Sequence, residues 1–238
     1  EQVAVDMVTE IRSDLSHNVQ ALQRLQAPRP DDAAWQRGAT ALLLSNREIL
    51  RIEWRSPELK IRLAQASPFL PFLFDHMPRS QVQPDVKQAC ANALRFAGPA
   101  YSTSYFLPLQ EGRGQELLEM CLPLPDDGGF LVMTYGLTDL LGELQAREAY
   151  RSFSVALTES DGTRLAIAGH AARDRNTVEA VHLLELPGSA YTLRVDQARE
   201  LKGLRPKALS STLTLLAMAL VGMLALLSYD VRKRLQTE

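Results

Sequence analysis

Residues 1 to 27 place Ala4, Val8, Ile11, Leu15, Asn18, Leu22 and Leu25 at alternating spacings of four and three. That period predicts one long helix carrying a heptad seam. A single polar seam position, Asn18, is of the kind that fixes register between paired helices. The spacing therefore predicts a helix that pairs with a second copy through Val8, Ile11, Leu15, Asn18, Leu22 and Leu25. The same stripe would also serve an amphipathic helix lying on its own domain, with Met7 and Val19 widening it. Pro28 and Pro30 end the helix, and Asp31 or Asp32 caps a second one over Ala33 to Ser45.

Alternation then replaces the helical period. Leu50, Ile52 and Trp54 fall on one side of a strand, Ile49 to Arg55, with Arg51, Glu53 and Arg55 on the other. Leu59 to Ala64 returns as the second strand of a hairpin. Ser67 to Gln83, rich in Pro and Phe, reads as a loop laid over apolar groups. Pro84 opens a helix to Ala97, closed by Gly98-Pro99. Three strands follow, Tyr101 to Leu107, Glu116 to Leu122 and Phe130 to Gly136, and Thr138 caps a short helix to Gln145. Beyond Ser152, the strands Phe153 to Thr158 and Arg164 to Ala168 flank Ser160-Asp161-Gly162. Ala180 to Leu186 and Ala190 to Asp196 flank Pro187-Gly188-Ser189. The expected class is α+β, with antiparallel sheets and helices on their faces.

The stretch Ala208 to Tyr229 holds no charged residue, and Arg232, Lys233 and Arg234 follow it. Such a run is long enough to cross a bilayer, and the flanking charges put the C-terminus in the cytoplasm. The expected divisions are a signalling helix over 1–30, a larger domain over 31–148 and a smaller one over 149–205. A transmembrane helix over 206–229 and a cytoplasmic stub over 230–238 complete the chain. Because it starts at Glu1, it reads as a fragment or processed product that has lost any preceding membrane segment.

A net charge of −2 gives no reason to expect nucleic acid. Cys90 and Cys121 are too few for a disulfide framework, and the spacing leaves one bond and two buried thiols both open. The four histidines share no ligand-like spacing, and no P-loop, dinucleotide fingerprint or nucleophile elbow is present. Neither a metal, a cofactor nor catalysis by this chain is expected. Binding is expected instead: Arg51, Glu53 and Arg55 share a face, and an arginine fork suits a carboxylate. Tyr101, Ser102, Ser104 and Tyr105, with Thr134 and Tyr135, supply hydroxyls whose parity the sequence leaves open. A solvated face in which Glu53 neutralises an arginine is the alternative.

The order of elements resembles the double-PDC (Cache-type) extracytoplasmic sensors, tandem PAS-like sheet domains of bacterial histidine kinases and chemoreceptors. The stretches RIEWR (51 to 55), PAYSTSYFLP (99 to 108), ELLEMCLPL (116 to 124), GGFLVMTYGL (128 to 137), TESDGTRLAIAG (158 to 169) and LLELPGSAYTLRVD (183 to 196) resemble more specifically the sensor region of DctS-type two-component kinases, which sense C4-dicarboxylates. The resemblance implies a homodimer in the bacterial inner membrane, with residues 1 to 206 periplasmic. It also implies a small organic acid held in the first domain between the Arg51 strand, the Tyr101 strand and the Phe69 to Gln83 loop. The same module on a chemoreceptor or cyclic-dinucleotide enzyme, or a membrane-anchored structural protein, are the competing expectations.

Overall fold

The computed structural model describes residues 1–26, 30–71, 73–74, 83–109, 114–125, 129–169, 177–198 and 214–224. Two compact units divide the chain, Glu1–Ala198 and Arg199–Glu238.

The first unit is mixed α+β with antiparallel sheets. Its elements run α1 (Gln2–Gln26), α2 (Asp32–Ser45), β1 (Ile49–Arg55), β2 (Ile61–Ala66), α3 (Pro84–Phe96), β3 (Ala100–Tyr101), β4 (Tyr105–Pro108), β5 (Gly114–Pro123), β6 (Phe130–Gly136) and α4 (Leu137–Ala146). A 3-10 turn at Glu148–Tyr150 leads to β7 (Phe153–Thr158), β8 (Arg164–Ala168), β9 (Thr177–Leu186) and β10 (Ser189–Ala198). The first sheet has strand order β2-β1-β6-β5-β3, with β4 also on β5; the second has order β8-β7-β10-β9.

One apolar core serves both sheets. Met7, Ile11, Leu15 and Leu22 of α1 and Trp35 of α2 pack with Ile52, Trp54, Met133 and Met120 of the first sheet. Val155, Leu157, Leu193 and Val195 of the second sheet belong to the same cluster. The expected boundary near residue 148 therefore divides sheets, while the core runs across it. The α1 stripe is thus taken up by its own chain, as expected of an amphipathic helix lying on its own domain. Val8, Ile11, Leu15, Asn18 and Leu22 are buried within their own chain, and Leu25 packs on the same core. Asn18 Nδ2 donates to Oε1 of the buried Glu48 at 2.8 Å. Ile11→Asp or Leu15→Asp is accordingly expected to destabilise the folded chain by at least about 3–5 kcal/mol, by lost packing and a buried charge. A urea titration that left the midpoint unchanged while dimers dissociated would restore the pairing role.

Local chemistry accounts for the other shifts from expectation. Asp31 caps α2 by accepting from Ala34 N at 2.6 Å. Leu59 adopts φ 63° in the turn after β1, so it cannot open a strand, and β2 starts at Ile61. A register shift in the β1–β6 pairing between Ile49 and Arg51 moves Leu50 off the core face, where Ile49 and Ile52 remain. The expected strand from Tyr101 to Leu107 is broken at Ser102–Ser104 into β3 and β4. Gly136, rather than Thr138, stands at the N-cap of α4. Gly129 passes so close to β1 that a Cβ there would lie 2.5 Å from the Arg55 carbonyl oxygen.

Within the second unit, residues 214–224 form an exposed apolar helix that includes Leu215, Leu216, Met218 and Leu224. Among the described residues, no helix is long and apolar enough to cross a membrane. The remainder of the expected 206–229 span, and the 230–238 stub, lie outside the described residues.

Candidate ligand site on the α3 face of the first sheet

A strand side chain points to one face of its sheet and its neighbours to the other. Because Ile52 and Trp54 face the α1 core, Arg51, Glu53 and Arg55 face away from it, beneath α3 and the segment after β2. Register completes the row. Arg51 lies opposite Thr134 of β6, and Thr134 lies opposite Glu119 of β5. Glu119 is tied to Ser102, whose N–H donates to the Glu119 carbonyl at 2.9 Å and whose hydroxyl accepts from Glu119 N–H at 3.1 Å. The strand break after Tyr101 is thus repaired by a side chain standing in for backbone.

The row is ionic and dry. Glu53, Arg55, Ser102, Glu119 and Thr134 are all fully buried. Glu53 spans both arginines: Arg51 Nε donates to Oε1 at 2.6 Å and Arg55 Nε to Oε2 at 2.7 Å. Arg55 Nη1 also donates to the Leu59 carbonyl at 2.7 Å, holding that turn. Arg51 alone of the pair keeps some exposure, 18% of its side chain, and its guanidinium lies 5.5 Å from the Phe74 ring. Glu119 receives two hydroxyls, Tyr105 Oη to Oε1 at 2.6 Å and Thr134 Oγ1 to Oε2 at 2.9 Å. Asp85, in the first turn of α3, stands near enough to Glu119 to feel its charge; burial first, and then that neighbour, push its carboxyl up. Leu50, Leu73, Phe74, Leu107 and Leu117 form an apolar wall on this face.

Cys90 and Cys121 are joined as a disulfide with Cα atoms 5.0 Å apart, which binds α3 to β5 two residues from Glu119. The two cysteines are 31 residues apart, and closing a loop of that length stabilises a fold by roughly 3–4 kcal/mol on the chain-entropy account. Cys90→Ala with Cys121→Ala is expected to lower stability by about that amount in urea unfolding. An unchanged midpoint would remove the bond from the reasons α3 stays on the sheet.

The structure brings together Arg51, Glu53, Arg55, Ser102, Tyr105 and Thr134 of the expected residues. It does not bring Tyr101, Tyr135 or Ser104. Tyr101 and Tyr135 belong to the core on the opposite face, where burial raises both phenols. Ser104 neighbours Glu116 and Tyr191 instead. Glu119 and Asp85 were not anticipated. The signal for Glu119 was present: it is the one charge inside the apolar run Leu117 to Leu122. Of the covering loop, Leu73 and Phe74 lie over this face, while residues 72 and 75–82 are outside the described residues.

No family model and no curated protein sequence matches the chain. Solved structures do. The sensory domain of the Campylobacter jejuni chemoreceptor Tlp3, with isoleucine bound, superposes at TM-score 0.51 and 14% identity, over 84% of this chain and 89% of that one. The ligand-binding domain of the Pseudomonas fluorescens chemoreceptor CtaA, in complex with L-isoleucine, gives 0.52 and 15%, over 84% and 90%. An extracellular ligand-binding receptor from Desulfohalobium retbaense gives 0.52 and 15%, over 82% of this chain but only 39% of that receptor, so the chain spans well under half of it. The chain has the fold of extracellular, PDC-like ligand-binding sensor domains.

Proposed function

We propose that the chain is the extracytoplasmic sensor region of a membrane signalling protein, and that the polar row beneath α3 binds a small amino acid. The observation that carries this reading is the ionic row itself, buried on one face of a sheet whose other face carries the main apolar core. Burying that many charged groups is costly unless each is paired. A purely structural sheet face has no need of them.

Charge distinguishes between ligand classes. Arg51 and Arg55 flank Glu53, and Arg51 is the arginine with exposure, placed to take one carboxylate. Glu119 and Asp85 offer the opposite sign a few strands away. A ligand with one carboxylate and one ammonium complements both ends. A C4-dicarboxylate would set its second carboxylate toward Glu119. The apolar wall of Leu50, Leu107 and Leu117 suits an aliphatic side chain, and the Tlp3 and CtaA domains hold isoleucine. The expected small organic acid is thereby narrowed to a zwitterion. A histidine kinase as output and an inner-membrane anchor over 206–229 follow the resemblance of the sequence. Homodimers complete the proposal, through a surface other than the α1 stripe. A chemoreceptor output is the second reading, favoured by the neighbours named above.

A thermal-shift panel of the standard L-amino acids and C4-dicarboxylates on the full chain tests it. A ligand at a hundredfold excess over its Kd stabilises by about 2.7 kcal/mol. An aliphatic L-amino acid is expected to raise the melting temperature, and succinate is not. A shift with succinate alone would return the dicarboxylate reading, and no shift with any compound would overturn the sensor site.

A further inference from the structure

The second sheet reaches the candidate site through one turn. Tyr101 N–H donates to the Pro187 carbonyl at 2.7 Å, and Tyr191 Oη donates to the Ser102 carbonyl at 3.2 Å. The dipeptide Tyr101–Ser102 thus holds Glu119 through Ser102 and the β9–β10 turn on its other side. Gly188, at φ 99°, makes this approach possible: a Cβ there would lie 2.6 Å from the Tyr101 carbonyl oxygen and 3.0 Å from Asn92 Nδ2 of α3. Both elements that clasp the turn, β3 and α3, are elements that hold Glu119 in place. Ser102, the residue directly after β3, bonds the Glu119 backbone, and α3 is joined to β5 by the disulfide. Tyr191 lies on β10, the strand from which the chain continues into the second unit.

We infer that the β9–β10 turn, seated on Tyr101–Ser102 by Gly188 and Tyr191, couples the state of the Glu119 site to β10. The identity of that site rests on the proposed function, but the coupling is open to test without any ligand. A shift of Glu119 displaces Ser102 through two hydrogen bonds, and Ser102 displaces Tyr191 through a third.

Amide hydrogen exchange on the full chain in detergent decides the matter. Glu119→Gln keeps the shape of the side chain and removes its charge. It is expected to raise the exchange of amides 188–193 by at least about fivefold. Tyr191→Phe, which removes one hydroxyl, is expected to reduce that response to under about twofold. Gly188→Ala is expected to do the same by unseating the turn, and Tyr191→Phe keeps the test valid should Gly188→Ala fail to fold. Exchange at 188–193 that ignores Glu119→Gln, or a response that survives Tyr191→Phe, overturns the coupling. L-isoleucine added to the wild-type chain separates the two claims. If it neither binds nor alters exchange while Glu119→Gln does, the ligand reading fails and the coupling stands.

Discussion

Replacing Glu53 with alanine is expected to lower the stability of the folded chain by about 3–5 kcal/mol, the usual cost of breaking a buried ion pair by removing one partner. For a unit of this size that corresponds to a fall of roughly 6–20 °C in melting temperature. The reason lies in Arg55. Its side chain is wholly buried, and its carboxylate partner is Glu53, at 2.6 Å from Nη2. Without Glu53, what remains to it among the described residues is the neutral Leu59 carbonyl. A buried guanidinium bonded to one carbonyl is a charge taken from water with little returned. Glu53→Gln keeps volume and one acceptor, so its loss should be smaller. If Glu53→Ala melts like wild type, the row is solvated and the description of the site as dry is wrong.

Arg51→Ala is expected to behave in the opposite way. Removing Arg51 leaves Glu53 paired with Arg55, so no charge is stranded, and the unliganded melting temperature should stay within a few degrees. Binding should suffer instead. Truncating one partner of a desolvated charge pair typically costs roughly 2–5 kcal/mol, so the Kd for the best amino acid of the panel should rise at least about thirtyfold. Arg55→Ala cannot make this distinction, because it empties a wholly buried position and releases the turn at Leu59 as well. Titration calorimetry on Arg51→Ala and wild type decides it. Equal affinities would move the carboxylate to another donor.

Much of this was legible in the residues. The alternation of β1 predicts that its charges face away from the α1 core, and they do. Its one error, Leu50, comes from a bulge that alternation cannot register, because a single extra residue leaves the composition of the strand unchanged. The α1 period predicts a helix and its apolar stripe, but a stripe cannot say what covers it. The opposite face was the better guide. Gln2, Asp6, Thr9, Ser13, Ser16 and Gln20 are exposed and polar, so the sheets cover the apolar side and water the other. The parity of Tyr101 and Ser102 depended on the break between β3 and β4, which hydrogen bonding between distant strands decides. Glu119 could have been singled out, since a carboxylate between Leu118 and Met120 must either be solvated or serve something. The disulfide needed the register of β5 against α3, information that no spacing of two cysteines contains.

The measurement closest to the central claim is a calorimetric titration of the full chain and its Glu119→Gln variant with L-isoleucine and with succinate. The wild-type chain is expected to bind L-isoleucine at one site per chain and not to bind succinate. Glu119→Gln is expected to weaken L-isoleucine at least about thirtyfold by removing a charged partner of its ammonium group. Binding of succinate that is unchanged or strengthened in Glu119→Gln, with L-isoleucine silent in both proteins, would contradict it.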